Sequence, residues 1–264
     1  VTFREKIAHA QTFLFVPGDR PERFAKAVNS GADVIILDLE DAVADDQKND
    51  AREAVADWLT DSPHAVVRIN AAGTSWHRED LAMISAFDCA VMVPKSEEPF
   101  VCMLPVIPLI ETAAGILNAV EICRGTMRPA FGSIDLAAQL RVDPDDRDAL
   151  ATARSTLVLA AAAAGVAAPI DGVTTALSDS GRLADDVHYA RRLGFTGKLC
   201  IHPSQIAPVH HTLAPTAAEI TWAERIVGAA GGGAIALDGS MVDKPVIERA
   251  RRILGLVTEP GLGR

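Results

Sequence analysis

DVIILDLEDAV, residues 33 to 43, runs from Val34 to Leu37 without a polar break and then places Asp38, Glu40 and Asp41 within four positions. An uninterrupted apolar run of this length suits a strand buried on both faces. Such a strand ends in three carboxylates only where its exit faces something that needs charge. Seven similar runs surround it: TFLFVP, HAVVRIN, CAVMVPK, MLPVIPLIE, RPAFGSID, AAPIDGVT and GKLCIHP. They recur at intervals of roughly 25 to 35 residues, each followed by a helix-like stretch. Two such stretches are PERFAKAVNSG, with Pro21 at a helix start and Gly31 past its end, and QKNDAREAVADWLT.

Alternating strands and helices imply a parallel sheet covered by helices. Eight units, with no G-x-G-x-x-G after any strand, favour an α/β fold of the closed (β/α)8 TIM-barrel type over an open doubly wound sheet. The barrel is expected over residues 1–228, with a C-terminal lid segment over 229–264. One connection departs from the pattern. Only SEEPFVC lies between the fourth and fifth strands, too short for a crossover helix of at least ~10 residues, so the fourth helix is expected to be missing. The five alanines at 160 to 164 read as a closely packed helix face.

Composition excludes several classes of function. The 264 residues hold 35 acidic and 25 basic side chains, a net charge of -10, which opposes attraction to nucleic acid or to an anionic membrane surface. The cysteines at 89, 102, 123 and 200 have no metal-ligand spacing and read as buried free thiols. The most apolar run, Leu157 to Ile170, is broken by Gly165 and Pro169 and is too short to span a bilayer. No secretory core follows the opening residues. A soluble cytoplasmic protein is expected.

In a barrel of this kind the active site sits at the C-terminal ends of the strands. That rule picks out Arg68 in VVRIN, Lys95 in VMVPK, Glu111 in PLIET, Asp135 in GSIDLAAQL, Asp171 in PIDG and His202 in IHPSQI. Glu111 and Asp135, on adjacent strands, can share a hard cation such as Mg2+ that keeps sites open for substrate oxygens. Arg68 and Lys95 suit the anionic groups of a substrate. Each residue also has an ordinary reading. Glu111 with Thr112, and Asp135, can cap helices. Asp38, Glu40 and Asp41 either pair with Arg20, Lys26 or Arg68 or sit around a metal's waters. His202 reads as a turn residue, and His210 with His211 as a solvated helix face.

The runs LFVPGDRPERFAKA, VIILDLEDAV, VVRIN, VMVPKSE, LIETAAGI, GSIDLAAQL, IDGV, GFTGKLCIHPSQI and GSMVDKPVIERA together resemble the citrate lyase beta subunit and its acyl-CoA lyase relatives, including malyl-CoA and citramalyl-CoA lyases. The resemblance implies a Mg2+-dependent homotrimeric barrel. Its reaction joins or separates an acetyl thioester and a 2-oxo acid. It makes Glu111 and Asp135 the metal ligands, Arg68 the substrate-binding arginine, and Asp243 an acid brought over the site by the C-terminal segment. Ile134 stands where many relatives place an acid.

Cleaving a 3-hydroxyacyl thioester leaves charge on the thioester oxygen. Arg68 can face it, Asp243 can move the proton, and Arg20 and Lys26 are available for the thioester's phosphates. The run AAGGG at 229 to 233 suits a hinge for a lid carrying Asp243, although Asp243 equally suits a helix cap. Three functions are therefore expected in order: a free-standing acyl-CoA lyase, a citrate lyase subunit acting with complex partners on a carrier-bound thioester, and a catalytically silent scaffold.

Overall fold

The computed structural model describes residues 1–62, 64–229, 235–237 and 240–255. Eight parallel strands close into a barrel in chain order: β1 (Thr12–Pro17), β2 (Val34–Asp38), β3 (Val66–Arg68), β4 (Ala90–Val93), β5 (Val106–Ile110), β6 (Ala130–Phe131), β7 (Ile170–Asp171) and β8 (Gly197–Cys200). β8 pairs with β1, which removes any open edge.

Side chains alternate across each strand. Phe13, Val34, Ile36, Val66, Ala90, Met92, Ile107, Leu109 and Leu199 fill the barrel interior. Leu14, Val16, Ile35, Leu37, Val67, Val91 and Val93 point outward and pack with helix residues such as Phe24, Ala51, Val55 and Leu59. The helix Lys48–Asp61 buries Ala51, Val55 and Leu59 at the four-residue spacing of one face. Helix ends are chemically marked. Asp179 caps Ser180–Leu193 by accepting the Arg182 N–H, and the left-handed Gly194 ends it.

Three local expectations need correction. Residues from Pro21 form a short 3-10 turn, Pro21–Arg23, before the helix Phe24–Val28; Pro21 stands at the first position, where an N–H would have no partner in the turn. Of the five alanines, only Ala160 and Ala161 are buried, since a helix presents only part of its circumference to the core. His210 is only partly solvated, with 34% of its side chain exposed, because its Nε2 lies 3.0 Å from Thr12 Oγ1 and 3.1 Å from Asp33 Oδ2, whereas His211 is exposed as expected. No helix joins β4 to β5, as the SEEPFVC spacing implied.

The floor of the barrel is closed by Arg128, which is fully buried. Its guanidinium donates to the carbonyls of Ala10, Ala8 and Ala168 at 2.9, 3.2 and 2.8 Å and lies 5.6 Å from the Phe13 ring. One planar cation thereby satisfies several buried carbonyls at once.

The chain divides into two units, Val1–Leu213 and Ala214–Arg264. In the second, the helices Ala217–Ala229 and Lys244–Ile253 bury Ala223, Ile226 and Ala250 with Val242 of a two-stranded hairpin, β9 (Ile235–Leu237) and β10 (Ser240–Val242). Arg249 stacks over Trp222 at 4.8 Å. The glycines at 231 to 233, expected as a hinge, lie outside the described residues.

Candidate active site

The period-two alternation that buries Val34 and Ile36 turns Asp38 inward at the barrel mouth, and the same count turns Arg68 inward after Val66 and Glu111 inward after Ile107 and Leu109. Asp38 and Arg68 are also register partners on β2 and β3. Arg68 Nε donates to Asp38 Oδ1 at 2.7 Å and Nη2 to Oδ2 at 2.6 Å. This is a two-pronged, charge-assisted contact. Its third nitrogen, Nη1, lies 3.0 Å from Glu40 Oε2. The Phe15 ring supports the guanidinium at 4.7 Å. Asp38 additionally accepts the Glu40 and Ala42 N–H groups at 3.0 and 3.3 Å, so one buried carboxylate shapes the loop and holds the arginine.

Lys95 occupies the left-handed backbone region with φ of 49°, a conformation costing a lysine about 1–2 kcal/mol. In that conformation its N–H reaches Glu111 Oε1 at 2.8 Å and its Nζ reaches Glu40 Oε1 at 2.6 Å. The same ammonium lies 3.7 Å from Asp135 Oδ2 and 4.0 Å from Asp41 Oδ1. Gly132 is needed where it stands, since a Cβ there would overlap Glu111 Cβ and Oε2. Asp135 lies in the first turn of the helix Ser133–Leu140, one residue past exposed Ile134. The capping expected of it is therefore corrected: the helix starts two residues earlier.

Charge in this mouth is poorly balanced. Burial pushes the Glu111 carboxyl up to about 8, with Asp135 and Glu40 adding to the effect. Burial likewise raises Glu40, against the opposing pull of Arg68 and Lys95. Burial opposes the charged form of Arg68, yet the Asp38 carboxylate outweighs it and holds the guanidinium above its ordinary value. A cavity of about 250 Å3 opens here, lined by Asp38, Arg68, Glu111 and Asp135 together with apolar groups including Phe15 and Leu109. Among the described residues no group of three or more His, Cys, Asp or Glu forms a ready metal cage. The two carboxylates nonetheless fit a hard divalent cation that retains open positions: Glu111 is buried without full compensation, and a cation between it and Asp135 relieves their repulsion.

The other sequence candidates within the barrel unit lie outside this cluster. Arg20 is half exposed and 3.8 Å from Asp19. Lys26 lines a separate cavity of about 410 Å3 with Arg23 and His202, which shares Phe15 and Ile201 with the first. Asp171 is held by Lys198 and Arg154 at 2.9 and 3.1 Å, away from the mouth cavity's lining. His202 accepts the Ser204 N–H and opens a 3-10 turn, the turn role expected of it. Asp243 Oδ1 accepts the Val246 N–H at 3.3 Å and caps the helix Lys244–Ile253.

Sequence reading missed Lys48, a buried lysine whose Nζ donates to the Leu39 and Glu40 carbonyls at 2.8 and 2.7 Å. It also missed Asp80, which is fully buried and accepts from Arg52 Nε at 2.8 Å and Asn70 Nδ2 at 2.7 Å. Both sit in helices of ordinary amphipathic pattern. Only their tertiary partners distinguish them.

A closed parallel barrel with an arginine, a lysine and several carboxylates at its C-terminal mouth defines an enzyme of the (β/α)8 class, with a site suited to small anionic substrates. The family model described as HpcH/HpaI aldolase/citrate lyase matches residues 11–100 and 101–203. The chain belongs to this family and is a carbon–carbon lyase by class. It is 42% identical to a citrate lyase subunit beta-like protein of Mycobacterium tuberculosis, over 92% of this chain and 93% of that one. It is 31% identical to the mitochondrial citramalyl-CoA lyase of Rattus norvegicus, over 96% and 87% of the two chains. A crystal structure of the M. tuberculosis protein CitE with magnesium, acetoacetate and coenzyme A superimposes with a TM-score of 0.85 at 39% identity, covering 94% of this chain and 98% of that one.

Proposed function

We propose that the protein is a Mg2+-dependent lyase that cleaves, or forms, a 3-hydroxyacyl-CoA such as citramalyl-CoA or malyl-CoA, giving acetyl-CoA and a 2-oxo acid. The observation that carries this reading is the Arg68 guanidinium, fixed by Asp38, facing the same cavity as the under-compensated pair Glu111 and Asp135. Magnesium bound by the solved relative supports the metal, and its coenzyme A supports the thioester.

Glu111 and Asp135 would hold Mg2+, which when bound supplies a Lewis acid and orients a chelating oxo acid. In the cleavage direction the substrate's 3-hydroxyl gives up its proton and the bond between the hydroxyl-bearing carbon and the thioester methylene breaks. The electron pair passes onto the thioester as an enolate, which then takes a proton at carbon. Arg68, already rigid, faces the developing oxyanion without reorganising. Asp38 and Glu40 keep it there, and Lys95 sets the Glu111 carboxylate through its backbone N–H. Asp243 is assigned the proton transfer, carried by the 229–264 segment acting as a lid, from the same or a neighbouring subunit of a homotrimer. Arg20 and Lys26 are assigned the phosphates of the thioester, the latter supported by its place beside the second cavity.

A second reading, a citrate lyase subunit acting on a carrier-bound citryl thioester, is favoured by the name of the M. tuberculosis relative. Purified protein incubated with Mg2+ and free CoA thioesters separates the two. Release of acetyl-CoA and an oxo acid without any partner supports the first. Turnover only with a carrier-bound thioester supports the second.

A further inference from the structure

Lys95 touches both carboxylates assigned to the metal. Its backbone N–H donates to Glu111 Oε1 at 2.8 Å, and its ammonium lies 3.7 Å from Asp135 Oδ2. The ammonium also donates to Glu40 Oε1 at 2.6 Å and stands 4.0 Å from Asp41 Oδ1. Burial opposes its charge, but Glu40, Asp41 and Glu111 outweigh burial and hold it above its ordinary value, so it is protonated at neutral pH.

The backbone at this position does not call for a lysine. A φ of 49° suits glycine, which would present the same N–H to Glu111 without the steric penalty. What lysine adds here is its ammonium. Neighbouring cations have other tasks: Arg68 is held on Asp38 by two contacts, and Lys48 donates to the Leu39 and Glu40 carbonyls. Lys95 has a flexible stem and a side chain 41% exposed, so its ammonium can change partners.

We infer that the Lys95 ammonium exchanges Asp135 for the substrate's anion: it keeps the Mg2+ affinity of the substrate-free site low, and it meets the carboxylate of the arriving 2-oxo acid once Asp135 turns to the metal. This rests on the lyase reading and adds a form of regulation to it. A dication entering between Glu111 and Asp135 must draw Asp135 from the ammonium and is repelled by a like charge at short range. The carboxylate of a bound oxo acid offsets that repulsion. Metal and oxo acid then each raise the affinity for the other, by the same factor.

The test is calorimetric Mg2+ binding to the full chain, without and with saturating pyruvate. Lys95→Gln keeps an N–H donor for Glu40 and loses the charge. It is expected to bind Mg2+ alone at least about fivefold more tightly than the unaltered protein, and to gain at least about threefold less from pyruvate. Lys95→Arg keeps the charge and should restore both values. Lys95→Gly, which suits the backbone, should reproduce the glutamine result and replaces it if the glutamine variant does not fold. An ammonium that served only to neutralise Glu40 predicts the opposite sign, weaker Mg2+ binding with a lowered Tm. Equal or weaker Mg2+ binding in the folded charge-free variant, or an undiminished gain from pyruvate, overturns the inference and leaves the lyase reading standing. If the unaltered protein binds no Mg2+ even with pyruvate present, the lyase reading itself fails and takes the inference with it.

Discussion

Replacing Arg68 by lysine keeps one positive charge and removes the planar fork. The arginine makes two direct contacts to Asp38, at 2.7 and 2.6 Å, and a third approach to Glu40 at 3.0 Å. A single ammonium on a flexible stem can occupy one of these positions well. Asp38 is fully buried, so the oxygen that loses its donor has no water to turn to. A hydrogen bond to a charged group contributes about 1.5–3 kcal/mol, and the Glu40 and Ala42 N–H groups still hold the carboxylate. A stability loss of about 2–3 kcal/mol follows, within the 5–15 kcal/mol typical of a domain. The protein should remain folded.

Catalysis should suffer more. The surviving ammonium is drawn to Asp38 and Glu40, which leaves the developing oxyanion without its donor, and loss of one such donor costs roughly 100- to 1000-fold in rate. Urea unfolding and steady-state kinetics on the same preparation measure both terms. A folded Arg68→Lys variant with unaltered kcat/KM would refute the role in the reaction and leave Arg68 as a structural partner of Asp38.

Glu111→Gln removes one of two metal-binding charges; calorimetric Mg2+ affinity should fall at least about tenfold, and EDTA should abolish turnover of the unaltered enzyme until Mg2+ is restored. Gly132→Ala forces a methyl into Glu111, so Mg2+ affinity and kcat should both drop while circular dichroism shows the barrel intact. Asp243→Asn removes the acid and keeps an equally good cap, so lost turnover at unchanged Tm supports proton transfer; Asp243→Ala also loses the cap and should cost about 1 kcal/mol of stability, and normal turnover in both variants assigns the residue to its helix alone. Asp33 is half-buried, which raises its pKa, but the Gln11 N–H, His210 and the Thr12 N–H outweigh burial and hold it below its ordinary 3.8. A depressed carboxylate contributes stability above its unfolded value and loses it as pH falls through the folded value. The stability gap between the unaltered protein and Asp33→Asn should therefore be full at neutral pH and close below about pH 4; a gap that widens with acid would contradict the pairing.

The barrel was legible in the chain because its determinants are local and periodic. Apolar runs punctuated by Gly, Pro and charge mark all eight barrel strands, although β6 and β7 hold two residues each and Lys198 interrupts β8, and the missing fourth helix follows from the length of one connection. Counting in twos puts Asp38 on the face of Val34 and Ile36 and Arg68 on that of Val66, but a run apolar on both faces does not say which face is the interior, and the closed barrel decided that. What the sequence left open were the partners. Asp38, Glu40 and Asp41 read equally as pairing groups or as neighbours of a metal's waters, and only closure of β2 against β3 put Asp38 on Arg68 and left Glu40 between Arg68 and Lys95. His210 and Asp33 lie 177 positions apart in the chain, as do no residues that a local pattern can relate. Lys48, Asp80 and Arg128 carry no local signal, because a buried charge is stable only through carbonyls and carboxylates delivered by distant segments. Hydrophobic periodicity is written along the chain; the pairing of buried charges depends on distances across the barrel, and these come into being only when it closes.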